Sequence, residues 1–234
     1  MGFAIVAGGN PGMAAPSKYP ANFADATWTE IIEACHNNEV PDTWVVGSQK
    51  TITINGTNYP IDIIGKNHDT YSDGSRTAPL TFQMHDCYET IYAMNGSDTN
   101  AGGWTSCAMR TTHLPAILAL MPSEIQSGIK QVNKLTSAGG WSSTINTTAD
   151  KLFLLSEIEI FGSIKNSMSG EGTQYDYYKA GNSKVKNLSG SAYGWWCRSP
   201  YARASTSFCC VYSSGDTYFT GAGSAYSEAF AFCF

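Results

Sequence analysis

Hydrophobic and polar positions change period several times along the chain, and each change marks an element. Trp28, Ile31, Ile32 and Cys35 recur at the i, i+3, i+4, i+7 spacing of one helix face. Thr27 stands where an N-cap belongs, Glu30 completes a capping box, and Asn37-Asn38 and Pro41 stop the run. The period then drops to two, the alternation of a half-buried strand, in residues 43–46, 50–54 and 59–64. Asn55-Gly56 separates the last two of these, and both residues tolerate the positive φ that a two-residue hairpin demands. Ile52, Ile54, Ile61 and Ile63 are thereby expected to face inward.

A polar loop follows over 65–74, then a strand over 80–84. Helical spacing resumes in 87–94 and, after a loop over 95–103, along an apolar face in 104–120 with Pro115 near a turn. Residues 123–134 predict another helix or pair of turns, 137–149 a loop, and 150–155 a buried strand running on to 157–161. Residues 170–190 are polar and loop-like, with Tyr175, Tyr177 and Tyr178 embedded. Apolar strands are predicted at 195–200 and 230–234. Residues 1–25 form a lead-in with one short strand, and 26–234 carry neither a linker nor a fixed repeat, so they predict a single domain. Short helices among antiparallel strand pairs make the class α+β and loop-rich.

Composition sharpens this picture. Charged residues are 14% of the chain, against roughly 25% in an average domain. Glycine (23), tyrosine (13), serine, threonine and asparagine replace them, the palette with which antibody paratopes build adaptable contacts. The net charge is −5 and no Lys/Arg-rich run exists, which argues against nucleic acid as partner. No apolar run reaches the roughly 18–20 residues that span a bilayer, so no membrane insertion is expected. The opening nine residues lack the basic region of a secretory signal, so synthesis in the bacterial cytoplasm without a signal peptide is expected. Seven cysteines, without CxxC or a Cys/His cluster, read as reduced, small hydrophobes.

Catalytic chemistry is thinly represented. The four histidines (His36, His68, His85 and His113) lie in no recognised catalytic context, and neither a GxSxG elbow nor a P-loop occurs. His85-Asp86 has the residue types of a general-base pair, but an adjacent dipeptide is common by chance. Asn67, Asp69 and Asp73 offer calcium-type oxygens without the EF-hand spacing, and Asp98 and Asn100 are no more specific. The expectation is a non-enzymatic protein with neither metal nor cofactor.

The last forty residues are different. Gly194-Trp195-Trp196-Cys197-Arg198-Ser199-Pro200 opens them and Phe230 to Phe234 closes them, both runs having the look of core. Arg198 has the chemistry of a clamp for loop carbonyls or a carboxylate. Between these ends, 201–227 is built almost wholly from Tyr, Ser, Thr, Ala, Gly, Cys, Phe and Asp, and Asn and Lys are absent from 201 onward. Mutagenesis of adenines in AAC-type asparagine codons yields that set of residues. Cys210, Tyr212, Ser214 and Asp216 recur with period two, so one strand face would be displayed while Val211 packs inward.

The Trp195-Trp196-x-Arg198-Ser199-Pro200 motif, followed by Phe208-Cys209, Val211, Gly215 and 229–233, resembles the C-terminus of a family of phage and prophage domains. Residues 64–74, 122–124 and 150–157 resemble it too, so the likeness covers most of the chain from about Trp28. Such domains are similar to the variable proteins of diversity-generating retroelements, whose fold is C-type-lectin-like and whose rewritten C-terminal residues form a ligand-binding surface. The resemblance implies scaffold roles for Trp195, Trp196, Arg198, Phe208, Gly215, Phe230 and Phe232. It implies variable positions at Arg203, Ala204, Thr206, Ser207, Cys210, Tyr212 and Ser214, and at Asp216, Tyr218, Phe219, Thr220, Gly221, Ala225 and Tyr226. Cys197 and Glu228 depart from it, a larger apolar residue and a glycine being usual there.

What the resemblance implies is a display protein on a phage tail or cell surface, binding a host-cell receptor or another protein or glycan. A homotrimer or attachment to a tail fibre is the implied setting. The Glu-Pro-Asn and Trp-Asn-Asp calcium motifs of sugar-binding lectins are missing, and fold alone supplies no activity. Two alternatives stay open: an invariant structural virion protein, and an enzyme of the formylglycine-generating or cell-wall-active kind using His85 and Asp86.

Overall fold

Capping and turn chemistry set the first elements of the computed structural model, which describes residues 17–234. In α1 (Trp28–Asn37), Thr27 accepts from the Glu30 amide and the Glu30 carboxylate accepts from the Thr27 amide at 2.7 Å, the reciprocal box read from the sequence. Such a cap contributes about 1 kcal/mol. β1 (Gln49–Ile54) and β2 (Thr57–Lys66) pair in the register Ile54↔Thr57, and Asn55 and Gly56 turn between them with φ of 48° and 82°. All four inward isoleucines are buried.

β2 pairs with β3 (Leu80–Met84), which pairs with the C-terminal strand β12 (Ala231–Cys233), which in turn pairs with β6 (Leu152–Phe153). The order β1-β2-β3-β12-β6 places the end of the chain inside the largest sheet. Phe82 and Phe232 stack across β3 and β12 at 5.4 Å, with Phe234 at the same distance from both. With about 20% helix and 31% strand, neither type dominates: the fold is α+β, short helices packed on small antiparallel sheets that close no barrel.

Several elements differ from the sequence expectation. The strand placed in the first residues of the lead-in lies outside the described residues. Residues 17–25 are no mere lead-in, because Tyr19 and Phe23 are buried against Trp44 at 6.1 and 5.4 Å. Residues 43–46 form a turn and not a strand; Trp44 is anchored by its indole N–H to the Pro20 carbonyl at 2.9 Å. Residues 87–94 are irregular, with one bridge at Tyr92, and not helical, since their amides serve distant partners: Tyr88 donates to the Glu228 carbonyl, and Tyr92 and Tyr226 exchange backbone bonds.

The 104–120 segment is broken into α2 (Gly103–Ser106), a π-turn over Met109–His113, and α3 (Leu114–Ala119). The helix at 123 stops early, as α4 (Ser123–Gly128), and residues 132–137 are strand. That strand, β4 (Val132–Ser137), pairs with β5 (Ile145–Asp150), all but the last residue of which fall in the stretch whose polar character predicts a loop. Residues 157–161 are helical, as α5 (Glu157–Phe161), capped by Ser156 and Glu159 in a second capping box. The polar stretch 170–190 holds α6 (Asp176–Lys179) and β7 (Lys186–Leu188), which pairs with β8 (Ser191–Tyr193).

The C-terminal sheet has the order β11-β10-β9, from β9 (Trp195–Pro200), β10 (Ser207–Val211) and β11 (Thr217–Gly221). The chain leaves the core at β9, makes this sheet, and returns to the core at β12. Buried hydrophobic side chains from Tyr19 to Phe234 form one cluster, so both ends of that excursion are fixed. Among the described residues no helix is long and apolar enough to cross a membrane.

Candidate functional site

β9 supplies the foundation of the C-terminal sheet. Trp195 and Trp196 are fully buried, their indole N–H groups donating to the Lys184 and Tyr92 carbonyls at 3.0 and 2.9 Å. Arg198 is also fully buried, and its guanidinium is spent on structure, as a clamp for both classes of acceptor. Its two Nη atoms meet the two oxygens of Glu159, one at 2.8 Å, and it donates to the carbonyls of Leu154, Glu171 and Leu135. A planar donor fork between a carboxylate and loop carbonyls fixes three segments at once.

The network continues inward. Lys134 bridges Asp69 and Glu159 at 2.7 and 2.8 Å, and the Tyr175 hydroxyl donates to Asp69 at 2.8 Å. Burial opposes ionisation of Asp69 and Glu159, yet Lys134 for the first and Arg198 with Lys134 for the second hold both carboxyls below their usual range. His68, Asp69 and Glu159 lie within 4.8 Å of one another, a spacing a metal could use. Lys134 already answers both carboxylates there, and His68 stacks on Tyr175 at 3.9 Å. Asp73, the other oxygen candidate, is exposed and accepts from the Ser75 amide.

Three further anchors hold the loops above the sheet, and the sequence singled out none of them for this. The Asn100 side chain, fully buried, donates to the carbonyls of Ala204 and Ser207 at 2.8 and 2.7 Å and to that of Tyr201, while its oxygen accepts from Gly140. Asp98 accepts from the Gly223 amide at 2.8 Å. Glu157 accepts from the amides of Asn166 and Ser167 and from the Thr217 hydroxyl, and Asn166 reaches Thr217 at 2.9 Å. Asp98 and Asn100, unspecific cation candidates by sequence, hold the loops at 201–207 and at Gly223.

On this base the proposed variable positions separate by exposure. Arg203, Thr206, Tyr212, Ser214, Asp216, Tyr218 and Ala225 are exposed. Ala204, Phe219, Thr220, Gly221 and Tyr226 are half-buried. Ser207 and Cys210 are buried, which corrects their expected display: β10 is the central strand of its sheet and is covered on both faces. The period-two alternation does hold from Tyr212 through Tyr218, with Val211 inside. Gly215 turns the hairpin with φ of 87°, a conformation that favours glycine. Phe208, Phe230 and Phe232 are fully buried, like the tryptophans.

Two of the exposed positions and two of the half-buried ones are aromatic. Tyr212 and Tyr218 are 47% and 49% exposed with rings 5.4 Å apart, and Tyr218 lies 5.4 Å from Phe219. Tyr226 sits on Trp196 at 5.5 Å and beside Tyr193 at 5.7 Å. Such a surface offers large, stiff contact area bordered by hydroxyls.

The catalytic candidates are placed differently from the sequence reading. His85 pairs through Nδ1 with Asp62 at 2.7 Å, not with Asp86, which accepts from the Asn187 amide and side chain. The bond to Asp62 raises the His85 pKa against the opposing effect of burial. All seven cysteines are free and buried, and burial pushes thiols such as Cys87 and Cys210 to about 11 and about 12. Thiols so protonated are poor nucleophiles. Glu228, where glycine was expected, is buried with both oxygens unpartnered, and burial drives its pKa well above the usual value.

Residues 81–227 match DUF6273, described as a domain of unknown function. No curated protein and no solved structure matches the chain.

Proposed function

The chain belongs to the DUF6273 family, and from the face described above we propose that it is a non-enzymatic binding protein whose C-terminal sheet displays a changeable ligand surface. One observation carries this reading. Seven of the fourteen positions named from the sequence are exposed and five half-buried, all on loops and strands held from below by buried anchors. A fixed base with an aromatic, hydroxyl-rich top is the physical requirement for replacing contact residues without unfolding.

The finer reading is a C-type-lectin-like variable protein diversified by a retroelement and carried on a phage tail or a cell surface. The C-terminal strand lying inside the main sheet while the preceding segment loops outward supports it, as does the absence of Asn and Lys after residue 200. A host-cell receptor, protein or glycan, is the partner this surface suits. The test is genomic: a reverse-transcriptase gene beside this one, with a near-copy of codons 201–227 reading AAC where the protein exposes its residues. A neighbourhood lacking both supports an invariant structural protein instead.

A further inference from the structure

A hollow built without any residue of 201–227 lies where the end of α1, the 71–76 turn, the end of α4 and Lys151 meet. Its volume is about 540 Å³, within the range of small-molecule sites. Arg76, Lys130 and Lys151 line it, and none of the three forms a salt bridge among the described residues. In a chain of net charge −5, three cations outside any salt bridge around one concavity call for an explanation. Asp73 is the one carboxylate in the lining, so two positive charges remain over. That surplus matches a phosphate monoester, which carries about −1.5 to −2 at neutral pH.

The cations keep donors in reserve. Arg76 engages the Cys35 and His36 carbonyls through Nη2 alone, at 2.8 Å each, and its guanidinium lies 5.3 Å from the Tyr71 ring. Lys151 gives one bond to the Gln126 carbonyl at 3.2 Å, and the Lys130 ammonium has no hydrogen-bond partner among the described residues. Burial, and then the charges of Lys130 and Arg76, hold His36 below its ordinary range, a sign of positive potential in the hollow. Ser72, Ser75, Ser127 and Gln131 add hydroxyl and amide groups at the walls. An arginine fork with two lysine point charges suits tetrahedral oxyanions, and the remaining polar walls suit hydroxyls.

We propose that this hollow binds a phosphate monoester carried on a hydroxylated carbon skeleton, such as a sugar or polyol phosphate. Calorimetric titration of the whole chain with glucose 6-phosphate, inorganic phosphate, glucuronate and glucose tests it. Glucose 6-phosphate should bind best, inorganic phosphate and glucuronate more weakly, and glucose undetectably. Affinity should fall as ionic strength rises from about 0.01 to about 0.15 M. The Lys130→Ala/Lys151→Ala variant, with an unchanged melting curve, should lose at least about tenfold in affinity for glucose 6-phosphate. Absence of binding by either phosphate, equal binding of glucose, or an undiminished affinity in the double variant would overturn the proposal.

Discussion

The ring of Phe219 lies flat on that of Tyr201, with centroids 3.8 Å apart and planes 5° from parallel. One residue comes from the edge strand β11 and the other from the turn that follows β9. Their contact ties the loop opening the C-terminal excursion to its outermost strand, and Tyr218 and Tyr212 extend the aromatic row to solvent. The surface is therefore a supported strip, and not a set of independent loop tips.

Support from below predicts a sharp contrast in mutational tolerance. Tyr212→Ser, Ser214→Tyr, Asp216→Ala and Tyr218→Ser should each change unfolding free energy by no more than about 0.5 kcal/mol. Phe208→Ala should cost about 3–5 kcal/mol and Cys210→Tyr, by overpacking the covered β10, about 1–3 kcal/mol. Urea denaturation of the six variants checks both halves of the contrast.

Arg198 should resist replacement by lysine. A single ammonium cannot reproduce the paired contacts to Glu159 together with those to the Leu135, Leu154 and Glu171 carbonyls. Arg198→Met leaves a buried carboxylate with Lys134 as its remaining cation and should cost about 3–5 kcal/mol. Arg198→Met combined with Glu159→Gln should recover part of that loss, because the uncompensated charge is gone. Thermal and chemical denaturation of the two variants gives the comparison.

Asn100 predicts a local effect. Asn100→Ala removes the donor shared by the Tyr201, Ala204 and Ser207 carbonyls and the acceptor of the Gly140 amide. The buried groups left without partners should cost about 1–3 kcal/mol. Amide hydrogen exchange should quicken across 139–141 and 201–207 and stay unchanged in β1 and β2.

The elements legible in the sequence were those whose signals are local. The Thr27/Glu30 box and the Asn55-Gly56 turn each close within four residues, and both are found as read. The Ser156/Glu159 box has the same spacing, but Glu157-Ile-Glu-Ile-Phe161 also alternates, and the strand period hid the helix. Residues 87–94 have helical spacing, yet tertiary bonds to 187 and 226–228 keep them out of a helix, which no local pattern reveals. In the site, the scaffold was legible from its tryptophans and Arg198. Its loop anchors were not, because Asn100 lies more than 100 residues from the carbonyls it holds. Cys210 is buried although the alternation continues through it, because alternation tells which face a residue occupies and not whether that face is covered.

Glu228 predicts a pH dependence of known sign. Its folded pKa lies above the ordinary 4.5, so the neutral carboxyl favours folding below that value. Stability is lost as pH rises from there toward the folded pKa. Glu171, raised to about 6 by burial, runs the same way over a narrower window. Asp69 and Glu159, held below their usual range, act oppositely and withdraw stability as pH falls through their lowered values. Glu228→Gln cannot ionise, so its stability relative to the parent should be lowest near pH 4 and increase toward pH 8. Parallel melts at those two pH values measure the difference.

Sequencing this gene in sibling isolates tests whether a changeable surface stands on an unchanging base. Substitutions are predicted to fall within 201–227 and to concentrate at Arg203, Thr206, Tyr212, Ser214, Asp216, Tyr218 and Ala225, with Trp195, Trp196, Arg198, Phe208, Phe230 and Phe232 constant. Substitutions spread evenly along the chain, or as frequent at the buried anchors as at the exposed positions, would contradict it.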